Sequence, residues 1–262
     1  MKLIKSLQKI GLATSLLVTV MFSGITGAAE TEAVWENAQK RGALRCGAAV
    51  APPYVIRDPK SGDYSGVYVD LCREFAETHL GVNAVFVDTT WDNIIAGLQA
   101  GKWDMSLALN RKPKRAMAVG FTISPMYQEV SFVFNGENPK ISPSAKYLND
   151  FDKKGITLAV MSGTVQEQGL TSVIQNAKIL RLPGNDETRL ALISRRADVL
   201  VDAADTNRIF TSINKEWAID VAPTPALLKQ GIALAVRKGV SWSDIEVFNI
   251  FLEEKIAKGD VA

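Results

Sequence analysis

Ala84-Val85-Phe86-Val87-Asp88, then Asn93-Ile94-Ile95-Ala96-Gly97-Leu98-Gln99-Ala100-Gly101, then Met105-Ser106-Leu107-Ala108-Leu109 read as strand, helix and strand. The outer runs are short and apolar, the inner one is helical in its spacing, and Gly101 stops it. A strand, a helix and a second strand in that order form a β-α-β unit, which commits the segment to a parallel sheet. Upstream, Ala33 to Arg41 reads as a helix ended by Gly42, Ala43 to Val50 as a buried strand, and Val69 to Leu80 as a helix with apolar positions at Val69, Cys72, Phe75, Ala76 and Leu80. Pro52, Pro53 and the turn-rich Asp58 to Gly66 form the loop between them.

Downstream the pattern repeats. Ile156 to Met161 is strand, Thr164 to Asn176 helix, Lys178 to Leu182 strand, Asp186 to Ser194 helix and Asp198 to Val201 strand. Glu129 to Phe134 is strand-like and sits between the two series, and Gly231 to Val236 offers a return strand. An amphipathic helix at Ser243 to Ala257 then packs on the first series. Two α/β lobes are the economical reading, with lobe 1 formed by 30–130 and 229–262 and lobe 2 by 131–228. Two strand crossings between them make a hinge, and a ligand site is expected in the cleft at the carboxyl ends of the strands.

Met1-Lys2-Leu3-Ile4-Lys5 is a short positive head, followed by an apolar run from Ile10 to Phe22 and small residues at Gly24, Gly27, Ala28 and Ala29. That is the pattern of a signal peptide over residues 1–29, cleaved near Ala29, with an apolar stretch too short to span a bilayer comfortably. The mature chain is expected outside the cytoplasm, in the periplasm. Composition is that of a globular protein, with 47% hydrophobic and 22% charged residues. The formal charge of +2 is too small to imply a nucleic-acid partner. Cys46 and Cys72 are the only cysteines, and an even count in an oxidising compartment invites a bridge between them; two buried free thiols are the other fate open to them.

No chemistry-bearing cluster stands out. His79 is the single histidine and falls on a helix outside the expected cleft. There is no Ser-His-Asp set, no His and Cys cluster for a metal and no phosphate-cradling glycine loop, so no catalytic residue, metal or cofactor is expected.

Three spaced segments carry a resemblance. The first is Arg41-Gly42-Ala43-Leu44-Arg45-Cys46-Gly47 with Tyr54 and Gly66-Val67-Tyr68-Val69-Asp70-Leu71-Cys72. The second is Trp91 to Asp104, continuing through Asn110 to Arg115, Phe121 and Tyr127. The third is Ser162-Gly163-Thr164-Val165-Gln166-Glu167 followed by Arg196-Ala197-Asp198. Together, in this order and over nearly the whole mature chain, they resemble the polar amino-acid family of periplasmic solute-binding proteins, the capture subunits of ABC importers. The resemblance implies the two-lobed type II periplasmic-binding-protein fold. It further implies a small carboxylate-bearing ligand, most simply an amino acid, an inner-membrane ABC permease as partner, and a monomer. Cysteines at the positions of Cys46 and Cys72 occur in some members. Members often continue past a phrase like Ala257-Lys258-Gly259-Asp260 into a further helix.

An amino acid needs a fixed cation, acceptors for N–H and a wall. Arginine suits the first task because its planar fork can give a carboxylate two parallel hydrogen bonds, and Arg115 is similar to the family's carboxylate-binding arginine. Asn110 ends the Met105 to Leu109 strand, where its side chain faces the expected cleft. Thr164 follows Gly163 at a helix start, where free backbone N–H groups and a hydroxyl make both an anion site and a helix cap; it is expected to do both jobs, its hydroxyl and neighbouring amides completing the carboxylate cage from the second lobe. Ala108 and Gly163 belong to the ligand set the resemblance implies. Tyr54 and Trp91 are the expected walls; Tyr127 and Trp103 are read as structural.

Two departures bear on specificity. The family's ammonium-binding aspartate would fall on Ala203; this chain instead has Asp202 one step earlier and Asp205 two steps later, and Asp202 is the preferred candidate with Asp205 in reserve. Lys112 replaces a frequent carboxylate-binding threonine, which suits either a second carboxylate on the ligand or a firmer grip on the first. The competing classes are a cyclohexadienyl dehydratase-like enzyme on the same architecture and a soluble ligand-sensing module. Against the enzyme, Ala203-Ala204-Asp205-Thr206 lacks the glutamate expected of it.

Overall fold

The computed structural model describes residues 33–261, and the predicted signal peptide lies outside them. Two parallel sheet segments form as the periodicity predicts. In the first, strand Ala43–Ala48 lies between Asn83–Asp88 and Met105–Asn110, parallel to both, with Cys46 in register with Phe86 and Met105. In the second, Thr157–Met161 lies between Lys178–Leu182 and Val199–Ala203, again parallel to both. Every residue of Met105–Asn110 is buried, as expected of a strand covered on both faces.

Two long strands join the segments. Met126–Asn135 spends its first four residues, Met126 to Glu129, antiparallel to Ile232 to Lys229. From Val130 to Phe134 it runs antiparallel to Ala203 to Val199. Lys229–Arg237 continues in the other direction along Met105–Asn110. The result is a two-lobed α/β fold whose lobes share a pair of crossing strands. No helix among the described residues is long and apolar enough to cross a membrane.

Each lobe has its own core. Trp35, Phe75, Phe248 and Phe251 pack with Leu44, Tyr68 and Met105 in the first; Phe75 and Phe248 meet at 4.4 Å between ring centroids. The long terminal helix Trp242–Lys258, capped by the Ser241 hydroxyl accepting from Asp244 N, thus closes the first lobe as the sequence predicts. Phe132, Phe134 and Phe151 with Val160 and Val199 make the second core. On the first lobe's other face Trp103 is buried and donates from Nε1 to Ser106 Oγ at 2.8 Å. A Cβ on Gly97 would lie 2.0 Å from that ring, which explains a glycine in the middle of helix Ile94–Gln99. Tyr127, read as structural with Trp103, is instead 72% exposed on the crossing strand. Cys46 and Cys72 are disulfide-bonded, tying the first strand to helix Val67–Glu74 inside the first core.

Some elements carry no clear sequence signal. Helix Ala204–Ile213 and strand Ala218–Val221 follow the last predicted strand of the second lobe. The predicted helix over 69–80 starts earlier, at Val67, and passes into a π-helical turn at Phe75–Leu80 before Gly81 ends it in the left-handed region.

Candidate functional site

The carboxyl ends of the parallel strands and the two helix starts that follow them converge on one cavity. Ala108 has φ +52°, in the left-handed region that alanine seldom occupies. It stands where the pairing with Lys229–Arg237 slips between Ala233 and Ala235. Such a bulge bends a strand and re-aims the side chains that follow it, and here it delivers Asn110 to the cavity wall.

Lys112 is the extended residue before a short turn, Pro113–Ala116, with Pro113 in the first helical position. This turn sends Arg111 and Lys114 outward and Arg115 inward, where it is 6% exposed. Arg115 donates from Nη1 to the Asn110 carbonyl at 3.3 Å and from Nη2 to the Gly163 carbonyl at 3.2 Å. Neither partner is charged, and among the described residues no carboxylate pairs with it. Burial alone brings its pKa down to about 10.

From the second lobe, Thr164 caps helix Val165–Val173. Its hydroxyl accepts from Glu167 N at 3.2 Å and donates to the Met161 carbonyl at 2.8 Å. The hydroxyl proton is therefore committed inside the protein, and what this helix start offers the cavity is its free backbone N–H groups. Gly163, just before it, has φ +73°, and a Cβ there would stand 2.6 Å from Asp92 N and Asp92 Oδ1 on the first lobe. The two lobes also touch through Ser162 Oγ donating to Asp92 Oδ1 at 3.1 Å.

Asp202 sits on strand Val199–Ala203, 3% exposed, and lines the cavity. Oδ1 accepts from Ala203 N at 2.7 Å and Gln166 Nε2 at 3.3 Å; Oδ2 accepts from Asn185 Nδ2 at 2.9 Å. Burial pushes its pKa up to about 6, against the opposing pull of these donors and of the nearby Arg189 charge. Tyr54 and Trp91 form the aromatic wall, the Trp91 Nε1–H held by the Val50 carbonyl at 3.3 Å. Tyr54 is itself 2% exposed and donates its hydroxyl to Asp205 Oδ2; burial and that carboxylate raise its pKa well above the ordinary phenol value. The cavity therefore presents a buried cation, a helix start, a buried carboxylate and an aromatic face.

Residues 44–260 match the family model for bacterial extracellular solute-binding proteins, family 3. The chain belongs to that family. Among the relatives of this family-3 chain, the probable histidine-binding protein of Campylobacter jejuni is 29% identical over 196 residues, covering 74% of this chain and 73% of that one. Cyclohexadienyl dehydratase of Pseudomonas aeruginosa is 24% identical over 171 residues, 63% of this chain and 60% of that one. The crystal structure of the ancestral amino acid-binding protein AncCDT-1, a precursor of cyclohexadienyl dehydratase, superposes with a TM-score of 0.77 at 29% identity, over 86% of this chain and 94% of that one.

Of the ten candidate ligand positions, Tyr54, Trp91, Ala108, Asn110, Arg115, Thr164 and Asp202 line the cavity. The other three surround it without lining it. The Gly163 carbonyl holds Arg115, Asp205 receives the Tyr54 hydroxyl, and Lys112 reaches across the cleft mouth toward Gln168 Oε1 at 3.5 Å. Sequence reasoning did not single out Gln128, Gln166 or Thr206, which also line the cavity. Gln128 accepts from Asn110 Nδ2 at 3.0 Å, and the Thr206 hydroxyl donates to the Pro52 carbonyl on the opposite lobe. Gln166 lies within the segment Ser162 to Glu167, and its position two residues past the cap was the available signal.

Proposed function

We propose that this family-3 chain is the periplasmic capture subunit of an ABC importer and that its solute is a small amino acid or related carboxylate. The observation that carries the reading is Arg115, a buried guanidinium whose protein partners are two backbone carbonyls. An unpaired buried charge costs several kcal/mol, so a protein keeps one where a counter-ion is to arrive. The N-terminus of helix Val165–Val173 faces the same cavity and favours the same anion. The carboxylate is thereby gripped from both lobes, and the aromatic faces of Tyr54 and Trp91 take the side chain. The ligand's ammonium lies toward Asp202, with Asp205 engaged by Tyr54 instead.

Binding from both lobes favours the closed form, which a membrane permease then recognises. We set the lobe boundaries at 130/131 and 228/229, close to where Met126–Asn135 changes partner between Glu129 and Val130 and where Lys229–Arg237 begins. We read the site as capturing rather than transforming its ligand: among the described residues Asp202 is the one carboxyl lining the cavity, both its oxygens accept from protein donors, and no histidine, cysteine, lysine or second carboxyl lines the cavity with it.

The test is calorimetry on protein unfolded and refolded to free it of carried-over solute, titrated with the twenty amino acids and with organic acids. Saturable binding that Arg115→Ala abolishes is expected. Unchanged affinity in Arg115→Ala overturns the assignment, and conversion of prephenate or arogenate to an aromatic product overturns the capture-only reading.

A further inference from the structure

Gln166 is the second residue of helix Val165–Val173, 5% exposed, and part of the cavity wall. One end of its amide is tied: Nε2 donates to Asp202 Oδ1 at 3.3 Å. The other end, Oε1, is buried with no hydrogen-bond partner among the described residues. The described residues hold a few other such atoms, and Gln166 Oε1 is the one that belongs to the cavity wall. Buried polar atoms are nearly always paired, so an orphaned acceptor in a ligand cavity calls for a donor.

The amide cannot relieve this by turning over. An ionised carboxylate only accepts, and Asp202 already takes Ala203 N on Oδ1 and Asn185 Nδ2 on Oδ2. Reversing Gln166 would set its oxygen against the Asp202 oxygens. Asp202 therefore fixes the polarity of the Gln166 amide, NH2 toward the strand and oxygen free. The next cavity-lining residue on that strand, Ala203, has no polar side chain to share the task.

We infer that Gln166 Oε1 is the acceptor for a ligand N–H in the cleft, and that Asp202 is a positioning residue that orients this amide and supplies negative charge behind it. With Arg115 on the carboxylate, the ligand class is narrowed to carboxylates that also carry an amine. This inference rests on the cleft being a solute site, and it concerns the nitrogen end alone.

The experiment compares amino acids with analogues lacking only the α-amine: L-histidine with imidazolepropionate, L-arginine with 5-guanidinopentanoate, and other members of the twenty-amino-acid panel with their des-amino acids. Wild type is expected to prefer the amine-bearing partner by at least 10-fold. Gln166→Met, of similar volume, and Asp202→Asn, which frees the amide to turn over, are each expected to shrink that preference to about 3-fold or less. Melting temperatures near wild type show that both variants fold, and Gln166→Leu serves as a second replacement if the methionine variant does not. Full preference retained in the Gln166 variants overturns the inference, as does equal binding of both analogues by wild type. If Arg115→Ala also binds as wild type, the solute-site reading falls as well; if Arg115→Ala alone loses binding, only the Gln166 assignment falls. Failure of every compound to bind wild type overturns both.

Discussion

The Tyr54 hydroxyl donates to Asp205 Oδ2 at 2.7 Å, joining the first lobe's aromatic wall to the first turn of helix Ala204–Ile213 in the second. Beside it the Thr206 hydroxyl reaches the Pro52 carbonyl, so one short helix start makes both contacts. Tyr54→Phe keeps the ring and removes the strut. A hydrogen bond to a charged acceptor contributes about 1.5–3 kcal/mol at most, and Asp205 is partly exposed, so the closed form should lose roughly 1 kcal/mol. Ligand affinity should fall about 5-fold by calorimetry, with a larger radius of gyration by small-angle scattering. Unchanged affinity and radius would show that the strut does not bias closure.

Arg115→Met should separate stability from binding. The guanidinium is buried without a counter-ion, and replacing such a group by an apolar one of similar length is often neutral or stabilising. Ligand-free Tm should hold or rise, while carboxylate affinity drops by about 100-fold or more, the scale of a charge-assisted pair. A large loss of ligand-free stability would instead mark Arg115 as part of the scaffold.

Gly163→Ala tests closure from the other side. The residue has φ +73°, which costs alanine about 1 kcal/mol, and its new methyl would stand 2.6 Å from Asp92 N. Since Asp92 belongs to the opposite lobe, the open form tolerates the methyl and the closed form does not. The melting temperature should change by a few degrees, and affinity should fall by more than 10-fold. An affinity within 2-fold of wild type would mean that the lobes need not meet at this point.

The acidity of Asp202 gives a pH signature. Its carboxyl rises from 3.8 to about 6 in the folded chain, chiefly through burial. A folded pKa above the unfolded one means that the folded form binds the proton more tightly. The resulting stability is present in full below about pH 4 and is lost as pH rises through about 6. At 1.36 kcal/mol per unit, the loss is on the order of 3 kcal/mol. Asp202→Asn removes that slope, so the stability of the variant relative to wild type should climb between pH 4 and 7 in urea titrations. A flat difference would show that Asp202 keeps an ordinary acidity. Ligand affinity in wild type should weaken below about pH 6, where the carboxylate that orients Gln166 is protonated.

The Cys46 to Cys72 bond closes a loop with a sequence separation of 26. Loops of that size gain about 3 kcal/mol from cross-linking. Cys46→Ser with Cys72→Ser should lower Tm by several degrees and leave affinity nearly untouched, because both residues sit in the first core and neither lines the cavity. A loss of affinity as large as the loss of stability would show coupling between that core and the cleft.

Where the chain was legible, one physical signal dominated. Met105–Asn110 and Thr157–Met161 are short, mainly apolar runs, and the helices between strands end at glycine or polar turns, so the parallel units could be read directly. Helix Ala204–Ile213 was not legible because its buried face includes Thr206 and Asn207. Those residues are inside because their side chains bond to the Pro52 and Ser131 carbonyls, and distant partners leave no mark in local periodicity. Asp202 shows the same limit. Strand alternation allowed it to face the cleft, but Asn185, from another helix, and the Gln166 amide determine which of its lone pairs remain available. Ala108 gave no warning of its positive φ, since the bulge arises from its pairing with a strand more than a hundred residues away.

The crossing strands set what a partner protein can sense. Met126 to Glu129 and Lys229 to Ile232 form a ladder on the first-lobe side of the crossing, and both segments pass from it directly into the second-lobe core at Val130 and Leu228. A two-stranded ribbon twists and flexes easily, yet it resists sliding, because any slip by one residue would break its hydrogen bonds and turn its side chains over. The lobes are left with essentially one rotational coordinate. Occupancy of the cleft is thereby converted into a single angle, which a membrane receptor can gauge from the spacing of two surface points without touching the solute.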